Sequence, residues 1–369
     1  MSRRVAVKMD TVPANTASRF VDQLEQHLDQ LAGDPTTPTD DRLFDQVGLH
    51  LTGANIPPLI PRLLPKIIDI LKQYQSQPDA LCQLAIRLLR PLDFHQVLSF
   101  TSQEGIILAL QSPASPVNLL AVAILAKAAK SPGDTSLLAT MKDVITSFVT
   151  LWLSAPWVDV GELATEVLGD LLMVDSPDWP IEGLDESSHE PIRILPTTPG
   201  QGFMWRRIFH DRDVYGLVLS LCSDGPHQSA LGRPNHQQLS LAQGRLLSLL
   251  PRLSVYNLGA LTKTHFPDLH QQYMNSEAPD GLLYFAAIHM VDKEDSLMLS
   301  LLIDFVEGLI KIQLVTPPSK FKTDTFRNLY RTMVQNDDRV ENLIKTLPDC
   351  AETENVDELR QFIYDITND

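Results

Sequence analysis

A six-residue pattern returns four times along this chain: Leu84-Ala-Ile-Arg-Leu-Leu89, Leu120-Ala-Val-Ala-Ile-Leu125, Leu163-Ala-Thr-Glu-Val-Leu168 and Leu241-Ala-Gln-Gly-Arg-Leu246. Each reads Leu-Ala-x-x-x-Leu. A small residue beside a leucine stripe lets two helices approach closely, while leucines five apart border a shared core. Leucine occurs 57 times and aromatics make up only 7% of the 369 residues, whereas strands favour β-branched and aromatic side chains. The chain is therefore expected to be all-α.

The starts of the four motifs lie 36, 43 and 78 residues apart, the last interval being close to two units of about 39. That falls near the ~40–47-residue period of HEAT and armadillo repeats. The expected architecture is a HEAT/armadillo-type helical-repeat solenoid over residues 1–369, with an irregular all-α bundle as the rival. Amphipathic periodicity predicts helices over 15–31, 56–75 (kinked at Pro65, or starting there), 81–90 and 158–173. It predicts a core helix over 117–129, a partner helix with a following turn over 95–110, and a further partner helix over 136–154. Pro91, Pro113, Pro116, Pro132, Pro156 and Pro177 fall at the inferred boundaries, where a missing N–H is tolerated. Residues 33–41 read as a linker and 223–238 as a Gly/Pro/His/Asn-rich loop. Residues 175–202, with five prolines and six acids against one base (Arg193), read as an acidic inserted loop. Residues 316–369 form a C-terminal cap, with a basic patch of Lys320, Lys322, Arg327 and Arg331 around the core stripe Phe326, Leu329, Tyr330 and Met333. An acidic tail follows from Asp349.

The net charge is −16. Nucleic-acid binding needs clustered Lys and Arg to release counterions from phosphates, so neither DNA nor an anionic membrane is an expected direct ligand; a basic protein surface is. Three scattered cysteines, Cys82, Cys222 and Cys350, give no disulfide framework and no zinc spacing. No secretory leader and no membrane span is expected. The protein is read as cytoplasmic, with the nucleus as a further location, and as a monomer.

No catalytic motif is present: neither a P-loop, nor Gly-x-Ser-x-Gly, nor His-Glu-x-x-His, nor an EF-hand loop. No enzymatic activity, metal or cofactor is expected. His210-Asp-Arg-Asp213 places an imidazole near two carboxylates, but successive helical residues face different ways, so a solvated face is the plainer reading than a metal site. His265 and His270 are read as surface or packing histidines.

The block 202–222 is the most informative. Phe203, Ile208, Val214, Leu217, Val218 and Leu221 can form a core stripe, leaving Arg206, Arg207, Asp211, Arg212 and Asp213 for the surface. Trp205, Phe209 and Tyr215 fit either the chain's own core or an interaction hot spot, since Trp, Tyr and Arg dominate interface energetics. The mixed Arg and Asp residues equally suit internal salt bridges. With its Gly-x-x-Trp-Arg-Arg-Ile-Phe-x-Asp-Arg-Asp-Val-Tyr run at 202–215, the chain resembles the fungal proteasome base assembly chaperones. These are also described as mismatch-repair proteins and are related to the animal proteasome non-ATPase regulatory subunit five. The likeness is general over about residues 15–315 and sharp at 202–222. It implies a curved helical-repeat fold that binds the C-terminal helical domain of one proteasomal AAA ATPase during assembly of the 19S regulatory particle, then leaves. Relative to that family the chain is expected to be short. Acidic residues Glu162, Glu166 and Asp170 are expected to meet Lys and Arg of the ATPase. The alternative is another helical-repeat adaptor, such as a nucleotide-exchange factor for a 70-kDa heat-shock chaperone or a transport receptor.

Overall fold

A computed structural model describes residues 14–177, 199–223, 235–274, 281–314, 316, 318–336, 338–350 and 356–368. Among them every regular element is helical. Contacts divide the chain into two compact units, residues 1–124 and 125–369.

The first unit holds α1 (Ala14–Gly33), α2 (Asp41–His50), α3 (Ile60–Leu71), α4 (Asp79–Leu89), α5 (Phe94–Leu98), α6 (Gln103–Leu110) and most of α7 (Ser115–Leu125). Leu24, Leu28 and Leu31 of α1, spaced by four and three, are fully buried against α2 and α3. Arg62 of α3 grips Glu25 bidentately at 3.0 and 2.8 Å, and Lys66 reaches Asp29 at 2.6 Å. Pro65 does not start its helix: Ile60 does, behind a 3-10 turn at Pro57–Leu59, and Pro65 lies inside. Where a partner helix and a following turn were expected over 95–110, there are two short helices. Asp93 makes a reciprocal capping box with Gln96, and Ser102 accepts from the Gly105 N–H, so each short helix has its own start signal.

The second unit holds α8 (Pro132–Thr140), α9 (Lys142–Ser154), α10 (Val158–Val174), α11 (Phe203–Phe209), α12 (Arg212–Leu221), α13 (His236–Thr262), α14 (Pro267–Met274), α15 (Leu282–Tyr284) with a following π-turn at Phe285–His289, α16 (Ser296–Gln313), α17 (Lys320–Asn336), α18 (Asp338–Cys350) and α19 (Val356–Thr367). The helix expected over 136–154 also breaks in two. Met141, at ψ 72°, turns α8 and α9 by 95°. No single helix among the described residues is long and apolar enough to cross a membrane. The predicted loop 223–238 overlaps the start of α13 at His236. The expected acidic loop lies mostly in 178–198, outside the described residues.

Side-chain register shows how the helices stack. Gly161 and Gly169 of α10 face Arg245 and Arg252 of α13, while Gly244 and Gly308 face Leu301 and Pro251 across the α13–α16 seam. The three helices thus run parallel, with α13 in the middle, as equivalent helices of successive repeats do. Ala164 and Ala242 of the recurring hexapeptide are fully buried here, as are Ala85 and Ala121 of the earlier copies, so the motif's alanine lies in the core in all four copies.

At the C-terminal end, Phe326, Leu329, Tyr330 and Met333 are buried as expected. Lys322 departs from the predicted basic patch. Its ammonium is buried and donates to the carbonyl oxygens of Gln313 and Thr316 and to Thr316 Oγ1, satisfying the end of α16. Within the stretch read as an acidic tail, α19 buries Leu359, Ile363 and Ile366 and packs on α17.

Candidate partner-binding surface

The 202–222 block folds as a helix pair, and most of its charges are paired within the chain. Asp175, at the end of α10, is fully buried and accepts from the backbone N–H groups of Gln201 at 3.2 Å and Met204 at 2.5 Å, capping α11 from outside it. Burial raises its pKa, against the opposing pull of those N–H bonds. Gly202 supplies the left-handed turn, φ 70°, before α11.

Trp205, Phe209 and Tyr215 are all buried, at 4%, 3% and 1% exposure. They are core residues, not hot-spot candidates. Trp205 Nε1 donates to the Leu172 carbonyl at 2.8 Å, and its ring stacks on Phe209 at 5.3 Å. Tyr215 meets His270 Nε2 at 2.7 Å, and His270 Nδ1 lies 2.9 Å from Met274 Sδ. A thioether only accepts, so Nδ1 carries the proton and Nε2 accepts from the tyrosine O–H. Of the expected core stripe, Phe203 is 42% exposed, with Met204 buried in its place. One position of helical phase separates them.

Arg207 donates to the Ala139 carbonyl at 2.9 Å and pairs with Asp211 at 2.6 Å. Asp211 caps α12 by accepting from the Asp213 and Val214 N–H groups and also meets Lys142 at 3.2 Å. Burial works to raise its pKa, but the Lys142 and Arg207 hydrogen bonds and these N–H groups hold it below the ordinary carboxylate range. Asp213 takes Lys142 at 2.6 Å, and Arg212 forms a bidentate pair with Asp268 of α14. Arg206 lies over the exposed Phe203 ring at 4.5 Å. The internal salt-bridge reading holds for four of the five charged residues. His210 sits beside His265, ring centroids 3.9 Å apart, and no cluster of three potential metal ligands occurs among the described residues.

The acidic face of α10 is different. Glu162 and Glu166 are exposed along one lip of a groove of about 730 Å³ between α10 and α16, floored by α13. Asp170 leaves that set: it pairs with Arg252 of α13 at 2.6 Å. Under the lip, Arg245 is buried and donates to the Trp152 carbonyl at 2.9 Å and the Trp157 carbonyl at 3.1 Å, stapling the α9–α10 turn. Burial lowers its pKa, while the Glu162 charge pulls it back up. This groove was not legible in the sequence as a site. Its one signal was the pair of acids at i and i+4.

No curated protein matches the chain. The family model described as DNA mismatch repair protein HSM3, N terminal domain, matches residues 21–153, and it is the same family that the 202–222 block resembles.

Proposed function

We propose that the protein is a non-enzymatic assembly chaperone of the cytoplasm and nucleus that holds the C-terminal domain of a proteasomal AAA ATPase while the base of the 19S particle is built. The family match supports the setting. The observation that carries the binding mode is the exposed Glu162 and Glu166 beside an apolar groove, a complement to a basic helical surface. Mixing the full chain with purified ATPase C-terminal domains should retain one of them. Glu162→Lys with Glu166→Lys should weaken that capture about tenfold or more, since reversing two facing charges removes at least ~1.4 kcal/mol. Unchanged capture would remove the acidic lip from the interface, and failure to retain any base ATPase would sink the chaperone reading. The family description names DNA mismatch repair; retention of duplex DNA at physiological salt would favour that role, against a chain of charge −16.

A further inference from the structure

Four of the chain's ten histidines gather where α14 lies on α12 and on the π-turn after α15: His210, His265, His270 and His289. α14 is eight residues long, and little holds it. His270 and Met274 are buried, Leu269 covers Gly216 of α12, and the Phe266 ring lies 5.9 Å from that of Tyr215. In the ion pair of Asp268 with Arg212 both side chains are more than half exposed, at 62% and 51%, so it adds little. A short helix with few buried apolar side chains opens at lower cost than the fold as a whole.

The imidazole contacts of this joint suit neutral rings. His270 donates from Nδ1 to Met274 Sδ and accepts at Nε2 from the Tyr215 O–H, whereas an imidazolium has no acceptor to offer. His210, at the end of α11, and His265, in the turn before α14, have ring centroids 3.9 Å apart, so two protons there set like charges in contact. The other charged groups on the surrounding elements are Arg206 and Arg207 of α11, Asp211, Arg212 and Asp213 at the start of α12, Lys142 of α9, and Lys263 and Asp268 flanking the turn. These carboxylates do not rescue an imidazolium at His210: burial, then the His265 and Arg206 charges, push it below the ordinary 6.5. Burial, with the His289 charge opposite, lowers His270 to about 4. The Arg212 hydrogen bond holds Asp268 below the ordinary carboxylate range, so that pair stays ionised while the imidazoles titrate.

We infer that α14 is an acid-released flap: it lies on α12 while His210, His265 and His270 are neutral, and it detaches as they take up protons, before the other helices of its unit open. Detachment uncovers Tyr215 and the Gly216 face of α12. Detached rings titrate near 6.5 and docked ones resist protons, so docking is fully present above pH 6.5 and is lost as pH falls toward 4. His270 alone raises the open fraction about thirtyfold between roughly pH 7.5 and 5.

The test is native-state amide hydrogen exchange of the full chain from pH 7.5 to 5, read by mass spectrometry and corrected for the intrinsic rate at each pH. Protection over residues 269–274 should fall about thirtyfold or more, while that of α9 and α16 holds. His270→Gln, which keeps an acceptor for Tyr215, should remove most of the fall. Because that substitution lies in the core, His210→Gln with His265→Gln gives a second variant at exposed positions. It should leave protection at pH 7.5 unchanged and shrink the fall at pH 5. Loss of protection in α9 and α16 in parallel with α14 would overturn the flap and leave the histidines as contributors to global stability alone. Constant protection of α14 down to pH 5, or a fall of wild-type size in either variant, would overturn it too.

Discussion

Arg245 ties three segments together, and nothing near it in sequence reveals the task. Its guanidinium reaches carbonyls 93 and 88 residues away, across the face of Gly161, where an added Cβ would sit 2.0 Å from Arg245 Nε. Gly161→Ala should therefore displace a buried cation from two acceptors and destabilise the fold by about 2–3 kcal/mol, despite alanine's better helix propensity, as read by urea unfolding. His270 was placed by sequence as surface or packing, and it packs. Burial, with the nearby His289 charge, lowers its pKa from 6.5 to about 4. The folded state then binds fewer protons than the unfolded one between those values, so stability present above pH 6.5 is lost as pH falls toward 4. The loss due to this group should reach about 2 kcal/mol between roughly pH 7.5 and 5. His270→Gln, which keeps an acceptor for Tyr215, should flatten that part of the urea-midpoint profile. An equal slope in the variant would assign acid sensitivity elsewhere.

Element by element, periodicity was a good guide to faces and a poor one to breaks. The stripe of α4 (Leu81, Leu84, Ala85, Leu88) is buried as expected, and so is that of α9 from Val144 to Trp152. The break at Met141 was missed because apolar spacing continues across it and no side chain caps α9 there, whereas the break at Ser102 carries a local sign, a polar run from Thr101 to Glu104 with Ser102 as the cap of α6. Phe203 and Met204 show the complementary limit: a seven-residue helix has too few turns to fix its own phase from sequence, and its start is capped by a buried carboxylate 29 residues earlier. Asp175→Ala should cost about 1–2 kcal/mol and raise amide exchange at Gln201 and Met204, while Asp175→Asn, which retains an acceptor, should cost less. Equal exchange in both variants would show that α11 starts without this cap. Lys322 has the same character, a cation that reads as surface but ends a neighbouring helix.

For the molecule as a whole, composition foretold the helical class, and the recurring hexapeptide marked α10 and α13, which stack, although α16 stacks on α13 without a copy of it. The working surface was less accessible: of the eleven residues that the sequence offered for binding, Glu162 and Glu166 line the groove, three aromatics are core, and most of the rest are ion-paired within the chain. The difference arises because pairing partners such as Lys142, Asp268 and Arg252 come from other helices. With a net charge of −16, association with a basic partner should slow by about tenfold or more as salt rises from low to physiological strength, with dissociation changing less. Stopped-flow mixing would read this, and a salt-independent on-rate would place the recognition in apolar contacts alone. The seam at Asp175–Gly202 has a different consequence. Gly200 N–H donates to the Ser176 carbonyl and Gly202 N–H to that of Asp175, each at 3.0 Å, so residues 175–176 and 200–202 are latched to each other. Because closing a longer loop between fixed ends costs only about 0.6 kcal/mol per doubling of length, the entropic cost of joining α10 to α11 through this latch depends little on how many residues separate Ser176 from Gly200.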